Sequence, residues 1–203
     1  TLCGKAEFFQ AHESEIADWV NKIAKLEPKR EYGAYLDAGY AFQKNEQYET
    51  AENWYKKAIV KEPLRLGGHL YLGYLYRDQE KFAEAEQAFY KVLELDADNF
   101  DAYWELGWLY QKQAKWDKAL QAFEKSLPLR PEWNQYIFDA IASMQEKLGR
   151  SEAAEESLLA ALQLNPNDSK VTESLHALVD NWKKSSGWQH ALDLLQKMRD
   201  CKG

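Results

Sequence analysis

FDAYWELGWLYQKQAKWDKALQAFEKSLPLRPEW, residues Phe100–Trp133, is the stretch whose reading decides the fold. Within it Tyr103, Leu106 and Tyr110 recur at helical spacing around the small Gly107, and a second run puts Ala119, Phe123 and Ser126 on one face before Pro131. The spacing predicts a helix, a short turn and a second helix. The stretches on both sides read as poorer copies of this unit. Tyr32 to Arg65 carries Tyr35, Ala38, Gly39 and Phe42, then Tyr48, Ala51, Tyr55 and Ala58, then Pro63. Leu66 to Asn99 holds His69, Leu72, Gly73 and Tyr76, then Phe82, Ala85, Phe89 and Val92, with Ala97 in the place of the proline. Gly39, Gly73 and Gly107 are spaced by 34 residues, as are Ala51, Ala85 and Ala119. A fixed period of this length is the signature of stacked repeats.

Beyond Trp133 the register slips by one residue and resumes with Phe138, Ile141 and Ala142, then Ala154, Leu158, Ala161 and Pro166, with Gly149-Arg150 at the turn. This fourth unit departs from the frame at Gln145, where tyrosine is expected, and at Ser151, where the earlier units have Tyr48, Phe82 and Trp116. A degenerate fifth unit follows with Leu175, Leu178, Val179 and Trp182, then Trp188, Ala191, Leu195 and Met198. Its last helix is expected to turn Gln189, His190, Asp193, Gln196 and Lys197 to solvent, as the end of a stack requires. Ahead of the array, residues 5–26 form one helical pattern with Phe9, Ile16, Val20 and Ile23 on a stripe, stopped by Pro28. The expected organisation is an N-terminal capping helix in residues 1–31 and an array in 32–203, with units 32–65, 66–99, 100–133, 135–168 and 172–203.

In this frame of a large residue, Leu-Gly and Tyr on the first helix, Ala and Phe on the second, and a closing Pro, the chain resembles the tetratricopeptide repeat family. The central unit matches through Tyr103, Leu106, Gly107, Tyr110, Ala119, Phe123 and Pro131. The resemblance covers residues 32 to about 201, tight in the first three units and loose in the last two. It implies an all-α, right-handed solenoid of five helix hairpins behind a capping helix, acting as a protein-interaction scaffold. Glycine and alanine would let the helices of a hairpin approach, and aromatic rings would fill the holes between hairpins.

Composition agrees with a helical chain that folds. Its 203 residues are 45% hydrophobic and 14% aromatic, with few Gly and Pro. The net charge of -7 argues against a nucleic-acid partner and accommodates a basic one. No apolar run reaches the roughly 20 residues of a membrane span. Cys3 and Cys201 have no metal-ligand spacing and read as free thiols, with an intermolecular bridge left open. The start at Thr1 is that of a processed protein or an excised segment, so the compartment, cytoplasm or bacterial periplasm, is not determined. His12, His69, His176 and His190 stand in no catalytic or metal-binding arrangement, and Gly67-Gly68 lacks the rest of a phosphate loop. No enzyme activity, cofactor or metal is expected.

The face of each first helix left over from packing should line the hollow of the array. Three columns result: Leu36, Leu70, Trp104, Asp139, His176; then Tyr40, Tyr74, Trp108, Ser143, Asp180; then Gln43, Arg77, Gln111, Glu146, Lys183, with Tyr71 and Glu105 at the edge. Large rings left toward solvent are costly unless covered. In the peptide reading, Leu36, Leu70 and Tyr71 line a groove in which Tyr40, Tyr74, Trp104 and Trp108 cover apolar side chains of a peptide or short helix. Gln43, Arg77 and Gln111 would bond its polar groups, while Asp139, Glu146 and Asp180 favour a basic stretch. The rings could instead fold down as extra packing, or be covered by a second copy in a homodimer. The same platform suits a saccharide, as in an exopolysaccharide or envelope export machine, or a recruiting domain of a larger enzyme. The family's two-carboxylate clamp for chaperone C-termini uses Lys, Asn and Arg where this chain has Leu36, Tyr40, Tyr71 and Trp104, so the resemblance does not extend to that partner.

Overall fold

The computed structural model describes residues 2–184 and 187–201, with side chains from Ser14 onward except at Trp188; Cys3, Phe9, His12 and the Trp188 ring lie outside the described side chains. It is all-α, without a strand among the described residues. In order the helices are α1 (Leu2–Leu26), α2 (Glu31–Lys44), α3 (Tyr48–Lys61), α4 (Leu66–Asp78), α5 (Phe82–Leu95), α6 (Phe100–Lys112), α7 (Trp116–Ser126), α8 (Asn134–Lys147), α9 (Ser151–Leu164), α10 (Ser169–Lys184) and α11 (Trp188–Asp200). Short 3-10 turns at Pro28–Arg30 and Pro131–Trp133 precede α2 and α8, each opened by the proline. The contacts divide the chain into two compact units, Thr1–Ala97 and Asp98–Gly203.

The first unit pairs α2 with α3 and α4 with α5, and stacks α3 on α4. The 34-residue glycines show why they recur. A Cβ at Gly73 would lie 2.5 Å from the Phe89 ring, and one at Gly39 would collide with the Tyr55 ring in the same way. Glycine weakens a helix interior by about 0.5–1 kcal/mol relative to alanine. Here it is tolerated because a ring from the next helix occupies the vacated volume. Phe42, Ala51, Tyr55, Leu72 and Leu75 form the core, and Val20, Ile16 and Ile23 of α1 pack onto it. The Gly68 N–H donates to the buried Tyr32 hydroxyl at 2.9 Å, joining the starts of α2 and α4. On α2 and α3, Lys61 approaches Glu31 at 2.5 Å and holds its carboxyl below the usual range. Burial, with the Glu31 bond, pushes the Tyr35 hydroxyl up to about 12.

The second unit pairs α6 with α7, α8 with α9 and α10 with α11, and stacks α7 on α8 and α9 on α10. Gly107 meets Phe123 as Gly73 meets Phe89, at 2.5 Å for an added Cβ. Ala154, Leu158, Leu162, Leu175, Val179 and Leu194 continue the core. Asn99 caps α6 by accepting from the Ala102 N–H at 3.1 Å, and Asp168 does the same for Val171 at the start of α10. Gln189, Asp193, Gln196 and Lys197 of α11 face solvent as expected, while His190 is half-buried; His190 and Lys197 both reach Glu155, which is 2% exposed, at 2.5 and 2.9 Å. A buried carboxylate on α9 requires compensating partners, and α11 supplies both.

The turns inside the first four hairpins share one geometry. Glu46, Glu80, Ala114 and Gly149 have φ of 62, 56, 54 and 71°. In each case the following N–H reaches back five residues, as from Gln47 to the Phe42 carbonyl at 2.9 Å and from Lys115 to Tyr110 at 2.9 Å. This is the left-handed cap that ends a helix by satisfying its last carbonyls. The first three lie 34 residues apart and the fourth 35, so the register slip falls between α6 and α8.

Candidate functional site

In the first unit the candidate rings form a chain of contacts. Tyr71 stacks on Tyr55 at 5.4 Å and meets Tyr40 and Tyr74 edge-on at 6.4 and 6.1 Å. Tyr40 is 48% exposed, whereas Tyr71 and Tyr74 are half-buried. Lys44 sits 5.2 Å from the Tyr40 centroid and Arg77 5.3 Å from that of Tyr74. The polar candidates beside them are engaged within the fold. Gln43 accepts from the Tyr55 hydroxyl at 2.7 Å and donates to Asp78 at 2.7 Å, and Arg77 donates to Asp78 at 2.9 Å. Burial pushes the Tyr55 hydroxyl well above its ordinary range. Leu70 is half-buried, and Leu36 lines a cavity of about 340 Å³ with Trp19, Tyr32 and Arg65. His69 is half-buried; desolvation lowers its basicity although it bonds the Pro63 backbone.

The second unit holds a larger aromatic group. Phe100 and Trp104 stack at 6.0 Å, and Trp104 meets Trp108, Phe123 and Trp133 at 5.7, 5.3 and 5.9 Å. Trp133 continues to Tyr136 at 5.9 Å. Phe100 and Phe123 are buried and Trp104 is half-buried, but Trp108, Trp133 and Tyr136 are 39, 39 and 56% exposed. The inner rings therefore pack directly on Trp108 and Trp133, and Tyr136 joins the group through Trp133. Trp133 and Tyr136 are outside the columns read from sequence, because the one-residue slip falls where they stand. The signal was an aromatic pair three apart directly after Pro131.

The remaining candidates lie on α6, α8 and α10. Gln111 buries its carbonyl oxygen without a hydrogen-bond partner. The reason lies in the repeat frame: Gln43 faces the Tyr55 hydroxyl, and twelve residues after Gln111 stands Phe123, which has none. Asp139 is bridged by Lys170 at 2.5 Å, and Asp180 by Lys183 at 3.2 Å. Glu146 is exposed, yet desolvation by its surroundings pushes its carboxyl up, with the Asp139 charge adding to the effect and Lys147 opposing it. Among the described residues no group of three or more His, Cys, Asp or Glu is placed to hold a metal ion. No helix is long and apolar enough to cross a membrane. Such a surface can exclude water and hold flat or apolar groups.

Comparison with known proteins bears on the fold. Models described as tetratricopeptide repeat match residues 67–132 and residues 32–59 and 137–168, together more than half of the chain. Curated protein sequences give no significant match. Among solved structures the chain is similar to the crystal structure of MamA protein, with 17% identity and a TM-score of 0.68 over 86% of this chain and 93% of that one. It is similar to YrrB, described as a TPR protein with an unusual peptide-binding site, with 18% identity and a TM-score of 0.67 over 90% and 92%. It is also similar to pilF of Pseudomonas aeruginosa, with 20% identity and a TM-score of 0.62 over 85% and 77%. At these identities the likeness shows the tetratricopeptide solenoid fold.

Proposed function

Because the chain belongs to the tetratricopeptide repeat family, whose fold serves as a protein-interaction scaffold, we propose that it takes a peptide or short helical segment of another protein onto its inner aromatic faces. The observation that carries this reading is the outward set Trp108, Trp133 and Tyr136, held by a buried aromatic group in the second unit. Rigid aromatic rings bury large area at low entropic cost and dominate interface energies. The peptide-binding site of the similar YrrB supports the same class of ligand. In the first unit Tyr40 is the most open of the candidate rings, while Gln43 and Arg77 serve the fold before they serve a ligand. Residues 1–31 act as a cap in this reading, since Val20 is 1% exposed against the first hairpin. The reading assigns no catalytic residue.

Trp104 packs on four rings, so the informative variant spares it and changes Trp108→Ala with Tyr136→Ala. Peptides selected from a random library on the full chain are expected to lose about tenfold or more in affinity for this variant, with unchanged helical circular dichroism. Undiminished binding would place the site elsewhere. The alternative ligand, a saccharide stacked on the same three rings, is tested by calorimetric titration with oligosaccharides. Saccharide binding that depends on Trp108, with no peptide selected, would favour it.

A further inference from the structure

Several rings of the first unit are covered by a cation, and among the described residues the exposed rings of the second unit are not. Lys44 covers Tyr40, Lys57 lies 3.7 Å from the Trp54 centroid, Arg65 lies 4.4 Å from that of Tyr32, and Arg77 covers Tyr74. In the second unit Lys118 approaches Tyr110 at 5.2 Å and Arg130 approaches Phe100, the buried end of the aromatic group, at 4.4 Å. Among the described residues no lysine or arginine is found over Trp108, Trp133 or Tyr136. The face of an aromatic ring is electron-rich and attracts a cation, indole most of all. In this aromatic group these three exposed rings have that attraction unused.

The helix that carries Tyr136 also carries the complementary charge. Asp139 is three residues further along α8 and Glu146 two turns beyond it, on one face, and the charge of Asp139 opposes ionisation of Glu146. The cation paired with Asp139 is Lys170, whose side chain is 76% exposed. An exposed pair of this kind is weak and exchanges readily with another cation. A guanidinium lying flat on an indole can donate its edge N–H groups to a neighbouring carboxylate, which an ammonium does less well.

We infer that the surface formed by Trp108, Trp133, Tyr136 and Asp139 is a recognition site for an arginine side chain of a partner segment, which displaces Lys170 from Asp139. The inference rests on the peptide-binding reading above and specifies the residue that anchors the segment. The net charge of -7 draws a basic segment toward the chain and repels an acidic one.

The test titrates the full chain with a blocked peptide of about nine residues alternating arginine and alanine, and with its counterpart in which citrulline replaces arginine. Citrulline keeps the shape and removes the charge. Tryptophan fluorescence and calorimetry follow both. The arginine peptide is expected to bind about tenfold tighter than the citrulline peptide. Lys170→Ala should tighten the arginine peptide and leave the citrulline peptide unchanged. Trp133→Leu with Tyr136→Leu should abolish the difference, and because both rings are exposed the helical signal should not change. Equal affinity of the two peptides overturns the arginine inference but leaves the scaffold reading standing if Trp108→Ala weakens both. An arginine preference that survives in the Trp133 and Tyr136 variant also overturns it, since acids alone would then hold the cation. If neither peptide binds and library selection also yields no ligand dependent on Trp108, both readings fall.

Discussion

One hydroxyl separates Tyr55 from Phe123, two residues in equivalent places of their hairpins. The Tyr55 hydroxyl satisfies the Gln43 carbonyl oxygen at 2.7 Å, and the corresponding oxygen of Gln111 is buried without a partner. Both rings lie against the glycine of the preceding helix, Gly39 or Gly107, so the packing frame is shared. Phe123→Tyr should therefore place its hydroxyl on Gln111 and raise stability by about 1 kcal/mol, since a satisfied buried bond contributes that much and removes an orphan acceptor. Thermal unfolding of the two proteins checks this, and the gain should vanish in a Gln111→Leu background. A loss of stability in the single variant would mean that the ring site of the third hairpin has no room for one more oxygen. None of this was visible in the sequence, where Gln111 reads as one more polar residue of an inner column.

Among the elements, the helix ends carry a cost that the repeats do not share equally. The left-handed cap is filled by Gly149 in the fourth hairpin and by Glu46, Glu80 and Ala114 in the first three. A side chain in this backbone region costs about 1–2 kcal/mol, of which glycine's larger unfolded-state entropy returns part. Ala114→Gly is expected to stabilise the chain by about 0.5–1 kcal/mol, and Gly149→Ala to destabilise it by a similar amount. Denaturant unfolding of both variants measures the pair. A null result for Ala114→Gly would show that the turn relaxes away from φ 54° at little cost. The sequence showed these turns through Gly149-Arg150 alone. The other three are recognisable only by their backbone, because Glu and Ala do not advertise a positive φ.

At the scale of the molecule, the fold shifts several ionisable groups, and acid acts on His69 and Glu31 with one sign. His69 is less basic than usual because of desolvation, so the folded state favours its neutral form. Its contribution is fully present above the ordinary histidine value of 6.5 and is lost as pH falls below it through the folded value. Glu31, whose carboxyl is lowered by the Lys61 bond and then the Tyr35 bond, contributes above 4.5 and loses that contribution at lower pH. Glu146 is raised and works in the opposite direction over a part of the acid range. The unfolding midpoint should fall as pH is lowered from neutrality, in a first step removed by His69→Gln and a second removed by Glu31→Gln. A midpoint unchanged in the histidine range would show that His69 is no less basic in the fold than in the unfolded chain. How far the chain could be read without coordinates follows from the range of the interactions. By itself the sequence determined the helices, their pairing and the repeat, because small residues such as Gly39 and Ala51 and the ring of Tyr55 meet within one hairpin and leave a periodic trace. Only the tertiary structure decided which surface groups are free to act. Gln43 is claimed by Asp78, Asp139 by Lys170, and Glu155 by His190 and Lys197, all across 31 to 42 residues of chain. Those pairings depend on helices brought together by stacking, and polar side chains at such distances leave no period for a sequence to show.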